Sequence, residues 1–122
     1  MDNKKHLLAS SGISVYIDTI LLKIISLGDC YGYSIALTLA QITDEGCHIK
    51  EASMYSSLRR LESEQLISAY WGSGGQGGRR KYYVITDKGR EVLGENTEKW
   101  EVTKEMMDKI LNERTELVYE QH

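Results

Sequence analysis

The stretch LISAYWGSGGQGGRRKYYVI, Leu66–Ile85, decides how the rest of the chain is read. Leu66 to Trp71 and Lys81 to Ile85 are short runs rich in aliphatic and aromatic residues, which predicts two strands. Between them, residues 72–78 hold five glycines in seven positions, and Arg79 and Arg80 follow directly. That pattern predicts a hairpin whose loop is flexible and whose root is basic.

On the N-terminal side of the hairpin the apolar period is helical. Residues 50–64 place Met54, Leu58 and Leu61 on one stripe, flanked by Tyr55. Ser53, Ser56 and Arg60 fall on the opposite face, with Ser57 and Arg59 at its margins. Residues 32–43 align Ile35, Leu39 and Ile42, with Ala36 and Ala40 beside them, and Asp44-Glu45-Gly46 breaks the pattern. Residues 12–27 carry Ile13, Ile17, Ile20, Leu21 and Ile24 as a stripe widened by Val15, Leu22 and Ile25. Ser10 and Ser11 suit its N-cap, and Gly28-Asp29 its stop.

Beyond the hairpin, Thr86 suits the N-cap of a further helix. From about residue 96 that helix is strongly charged, with Trp100, Met107, Ile110 and Leu117 at roughly heptad spacing and Thr103 and Arg114 on the same seam. A narrow apolar seam on a long terminal helix implies a packing partner, and a second copy of the chain is the simplest one.

The 122 residues suit one compact domain plus an appended helix, too little for a two-lobed enzyme. Phe is absent, and eight Tyr and two Trp supply the aromatic surface. No apolar run approaches the ~18 residues of a membrane span, and Met1–His6 lacks a basic-then-apolar leader, so a cytoplasmic protein is expected. Cys30 and Cys47 are too few for a disulfide framework or a zinc site. His6, His48 and His122 show no ligand spacing. The glycine run lacks the Gly-Lys-Ser/Thr ending of a phosphate-binding loop and runs into a strand, not a helix. No nucleophile–base–acid set can be assembled. Neither catalysis nor a cofactor is expected.

The formal charge is −3, but residues 73–90 alone sum to +4 and residues 91–122 to −5. One compact basic segment on an acidic protein is the footprint of a polyanion partner. Three helices followed by a strand, a basic glycine loop and a strand form the winged helix-turn-helix order. The expected fold is therefore mainly α with a small two-stranded wing and a long C-terminal dimerisation helix. Residues 1–90 form the DNA-binding domain in this reading, and residues 91–122 the dimerising helix. Such a fold inserts one slim helix into a major groove and sets cations on the flanking backbone.

Three blocks carry a closer resemblance: Gly28-Asp29-Cys30-Tyr31-Gly32-Tyr33, Ala52 through Glu62, and Gly77 through Gly89. In this order and at these separations they resemble the PadR family of transcriptional regulators. Trp100 and the short C-terminal part are similar to its small multidrug-sensing repressors. The family's usual Gly-Thr-Leu-Tyr-Pro stands here as Ala52-Ser53-Met54-Tyr55-Ser56, without the proline. The resemblance implies a homodimeric repressor on a pseudo-palindromic double-stranded operator. Ser53, Tyr55, Ser56 and Arg60 would face the groove, and Gln76, Arg79, Arg80 and Lys81 the backbone. Strand alternation sends Arg79 and Lys81 to one face and Arg80 to the other. Tyr55 also suits packing between helices.

For Trp100 two readings stand. Either it anchors the dimer, together with Met107, Ile110 and Leu117, or a pair of Trp100 rings stacks on a planar aromatic or cationic small molecule. In the second case Val15, Asp18 and Thr19 are its neighbours, with Asp18 as counter-charge. A winged-helix module that binds proteins and a repressor without a ligand are the alternatives.

Overall fold

The computed structural model describes residues 16–113 and 116–120. Ser10, Ser11, Ile13, Val15, Arg114, His6 and His122 lie outside the described residues. Helix α1, Ile17–Ser26, buries Leu21, Leu22, Ile24 and Ile25. Helix α2, Gly32–Ile42, follows a short turn and opens where the Ser34 hydroxyl accepts the Tyr31 backbone N–H at 3.0 Å. Helix α3, Glu51–Ser63, buries Met54, Ser57, Leu58 and Leu61. Strands β1, Ile67–Ser73, and β2, Arg79–Ile85, pair antiparallel from Ile67 opposite Ile85 to Ser73 opposite Arg79. Helix α4, Asp87–Asn112, is the last regular element among the described residues.

The helices form because each has one stripe to bury, and those stripes meet. Leu21, Leu22, Ile25, Ile35, Leu58, Leu61 and Ile67 lose essentially all contact with solvent. Each such side chain contributes about 1.5–3 kcal/mol relative to exposure. The expected stripes hold, with two exceptions. Ile42 is 61% exposed in the last turn of α2, beyond the reach of α1 and α3. Ser57, expected at a margin, is the one polar side chain in the core among the described residues.

The hairpin is longer than the sequence suggests. Pairing runs to Ser73 and Arg79, leaving a tip of Gly74–Gly78 that turns through Gln76 at φ 58. It also gains a third edge. Cys30 and Tyr83 exchange backbone hydrogen bonds of 3.3 and 2.7 Å, clamping the α1–α2 connection to β2. Burial there pushes the Cys30 thiol up to about 11. Cys47 is buried in the core.

Thr86 caps α4 as expected, its hydroxyl oxygen accepting from the Gly89 N–H at 3.0 Å. Gly89 sits so close to the end of α3 that a Cβ there would lie 2.0 Å from the Leu66 carbonyl oxygen. From this tight junction α4 runs 26 residues without a break, straight through the 90/91 boundary drawn from sequence. At ~1.5 Å per residue it is about 39 Å long. Val92 and Leu93 pack on the core, and the Asn96 amide donates to the Thr19 hydroxyl of α1 at 3.0 Å.

From Thr97 onward every residue of α4 is exposed, Val102, Met106, Met107, Ile110 and Leu111 included. The helix stops at Asn112, so Leu117 leaves the expected seam and lies exposed in the irregular segment 116–120. Asp108 and Glu113 near the C-terminus oppose the helix dipole, and Asn112 is a weak helix former that turns its amide back to Asp108. Leu111, eleven residues after Trp100, takes Leu117's place on the Trp100–Met107 face. Among the described residues, no helix is long and apolar enough to cross a membrane.

Candidate nucleic-acid interface

The exposed face of α3 is narrow because the inward stripe takes every long aliphatic residue. Ser53 and Ser56 stand free on that face. Tyr55 is half-buried, and its hydroxyl fills the space a side chain would need at residue 32, so Gly32 lets α2 and α3 close on each other. Packing is thus the main work of Tyr55. Arg60 is drawn to one flank, where a terminal nitrogen donates to the Asp18 carboxylate of α1. That ion pair holds the Arg60 guanidinium above its ordinary pKa. Arg59, placed at a margin from sequence, stands on the opposite flank and faces the wing.

The wing obeys strand alternation. On the face toward α3, the Arg79 guanidinium lies 5.4 Å from the Trp71 ring centroid. Lys81 on the same face pairs with Glu62 of α3 at 3.1 Å, so its charge is partly neutralised. Arg80 leaves β2 from its other face but folds 4.2 Å over the Tyr31 ring, which brings it to the edge of the same groove. Tyr82 meets Tyr31 edge-on at 5.6 Å and stacks on Tyr70 at 5.4 Å. The Tyr70 hydroxyl donates to Asp29 at 2.8 Å, which raises its pKa. Arg79 and Arg80 are therefore stiffened by aromatic rings and pair with no carboxylate among the described residues. Gln76 sits at the exposed tip.

Between α3 and the wing lies a groove of about 610 Å³, lined by Arg59, all three wing cations and exposed Tyr33 and Trp71. Trp71, at the strand end, lies beside the wing as its place in the sequence suggests, whereas Tyr33 and Arg59 were missed because each reads locally as a turn or a helix margin. The glycine-flanked Tyr33, an aromatic with no apolar stripe to join, was the available signal.

A second, smaller cleft of about 220 Å³ separates α1 from α4. Trp100 meets Tyr16 edge-on at 5.3 Å and is 40% exposed. Thr19, Asn96, Lys99 and Thr103 complete the lining. Trp100 and Thr19 thus line the same cleft. Asp18 does not join them: it is held by Arg60, and the charge lining the cleft is the Lys99 ammonium, so the counter-charge expected from Asp18 is absent from it.

Slim helix, cation-bearing hairpin and linking long helix together define the class as winged helix-turn-helix proteins. More narrowly, residues 21–95 match the family model for the transcriptional regulator PadR-like family. A Lysinibacillus sphaericus protein is 40% identical over 93 residues, covering 76% of this chain and 85% of that one. A transcriptional regulator from Clostridium thermocellum superposes with a TM-score of 0.77 at 39% identity, over 84% of this chain and 97% of that one. A PadR family transcription regulator from Clostridium difficile gives 0.69 at 38%, over 80% and 99%. The chain belongs to the PadR-like family of transcriptional regulators, which are DNA-binding proteins and not enzymes.

Proposed function

We propose that two copies of the chain join along α4 and bind a pseudo-palindromic operator as a repressor, and that a planar aromatic molecule between them loosens that grip. One observation carries the DNA half of the reading: Arg59, Arg79 and Arg80 converge on one groove beside α3, and none of them pairs with a carboxylate among the described residues. Phosphates of the duplex are the acceptors such a rim fits, while the short serines admit α3 to the major groove. Gln76 at the tip reaches the backbone furthest from α3.

The apolar strip Trp100, Met107, Ile110, Leu111 supports pairing of two copies, since a lone protomer leaves it in water. In this division residues 1–90 read DNA and residues 91–122 dimerise, with α4 as one rigid rod between the tasks. The cleft beside Trp100 supports the ligand half. An indole face stacks on flat molecules, and Lys99 favours neutral or anionic ones over cations. A ligand that shifts α4 against α1 changes the spacing of the two recognition helices, a coupling typically worth ~1–3 kcal/mol.

The test uses a Trp71→Phe variant, in which Trp100 is the remaining indole, titrated with planar aromatic dyes of either charge while a bound fluorescent duplex reports release. Quenching and release at the same dye concentration support the reading. Release without quenching, or quenching without release, removes Trp100 from the switch.

A further inference from the structure

The ion pair between Asp18 of α1 and Arg60 of α3 joins two residues 42 positions apart in sequence. Both side chains are partly exposed, 38% and 48%, so neither was driven together by burial. Asp18 is fixed by its own helix: it lies in the first turn of α1, where the dipole favours a carboxylate, and Leu21 and Leu22 anchor that helix in the core. Arg60 is the mobile member, a long side chain one turn beyond Ser56. Its bond to Asp18 leaves from one terminal nitrogen, which also lies 3.5 Å from the Ser57 hydroxyl oxygen. The guanidinium's remaining N–H groups donate to no other described residue.

Resting on the DNA-binding reading above, we infer that Asp18 is a positioning residue for sequence discrimination: it holds Arg60 in one orientation so that its unused edge reads a base, of which guanine fits a guanidinium fork best. Two physical effects act together. A pre-oriented arginine loses less side-chain freedom when it meets guanine O6 and N7. A fixed carboxylate beside the DNA face also repels phosphates, so any approach that does not satisfy Arg60 is penalised. Both effects raise the operator-to-random ratio more than they raise affinity itself. Arg59, on the wing flank with no such carboxylate, is left as a sequence-blind contact.

The experiment uses a duplex that the wild-type chain recovers from a randomised library, and a scrambled duplex of equal length and composition. Binding of wild type, Asp18→Asn, Arg60→Ala and the double variant is measured on both, with thermal melts verifying folding. Asp18→Asn is expected to tighten binding to the scrambled duplex and to lower the preference for the selected one roughly five- to tenfold. Arg60→Ala should lower the preference by a similar factor, and adding Asp18→Asn to it should lower it no further. The inference is overturned if Asp18→Asn strengthens both duplexes equally, since Asp18 then only repels phosphate. It is overturned too if the preference rises, which makes the pair a latch that hides Arg60. A library that yields no enriched duplex overturns this inference and the DNA reading together, whereas an enriched duplex indifferent to Asp18 overturns this inference alone.

Discussion

Helix α4 lives in two environments. Its first ten residues are gripped: Gly89 is pressed against the Leu66 carbonyl, Val92 and Leu93 join the core, and Asn96 is bonded to Thr19. Its remaining sixteen, Thr97–Asn112, are exposed throughout, yet carry Trp100, Met107, Ile110 and Leu111. The helical period is the same in both halves, and only the partner differs. A solitary sixteen-residue helix in water is marginal on propensity alone. The gripped half therefore seeds the free half, whose apolar strip is the surface proposed above to meet a second copy.

Breaking the free half should have the largest effect. Met107→Glu with Leu111→Glu places charge on the seam of both copies, so dimer dissociation should strengthen by at least about a hundredfold. Sedimentation across protein concentration reads this directly, and the protomer's own fold should survive. Operator affinity should fall with it, because two linked half-sites gain effective concentration that one lacks.

Breaking the gripped half should act on the fold instead. Gly89→Ala forces a Cβ onto the Leu66 carbonyl, a backbone atom that cannot swing aside, and should cost about 3 kcal/mol in chemical denaturation. Gly94→Ala, with open space at its Cβ, is the control and should be neutral or stabilising by up to about 1 kcal/mol.

The junction between the halves should show the smallest effect. Asn96→Ala removes the hydrogen bond to Thr19 and should cost about 1 kcal/mol without changing the dimer. A shift in dimerisation equal to that of the seam variant would mean that the two halves are not separable.

The element order was legible because every element has a local signature. Apolar stripes mark three helices, alternation and glycines mark the hairpin, and Thr86 marks the start of α4. What stayed hidden depends on residues distant in sequence. The Cys30–Tyr83 bridge is a pairing of single residues, too short to leave a pattern. Asp18 with Arg60, and Glu62 with Lys81, are surface charges whose partners only the fold selects. The end of α4 was misjudged by some five residues, since neither Gly nor Pro marks it and Leu117 happens to continue the heptad. At the interface, Ser53, Ser56 and the wing arginines could be named from their pattern. Arg59 and Tyr33 could not, because what unites them is a groove between elements.

If the wing arginines hold a duplex by its phosphates, binding must weaken with salt in proportion to the contacts they make. The measurement is log K against log salt on one duplex for wild type, Arg79→Ala, Arg80→Ala and Lys81→Ala. Each phosphate contact releases about 0.9 counterion. Arg79→Ala and Arg80→Ala should therefore each flatten the slope by about 0.9, and Lys81→Ala, whose ammonium already pairs with Glu62, by clearly less. A wild-type slope near zero, or one that none of the three substitutions changes, would mean that the wing does not grip phosphate.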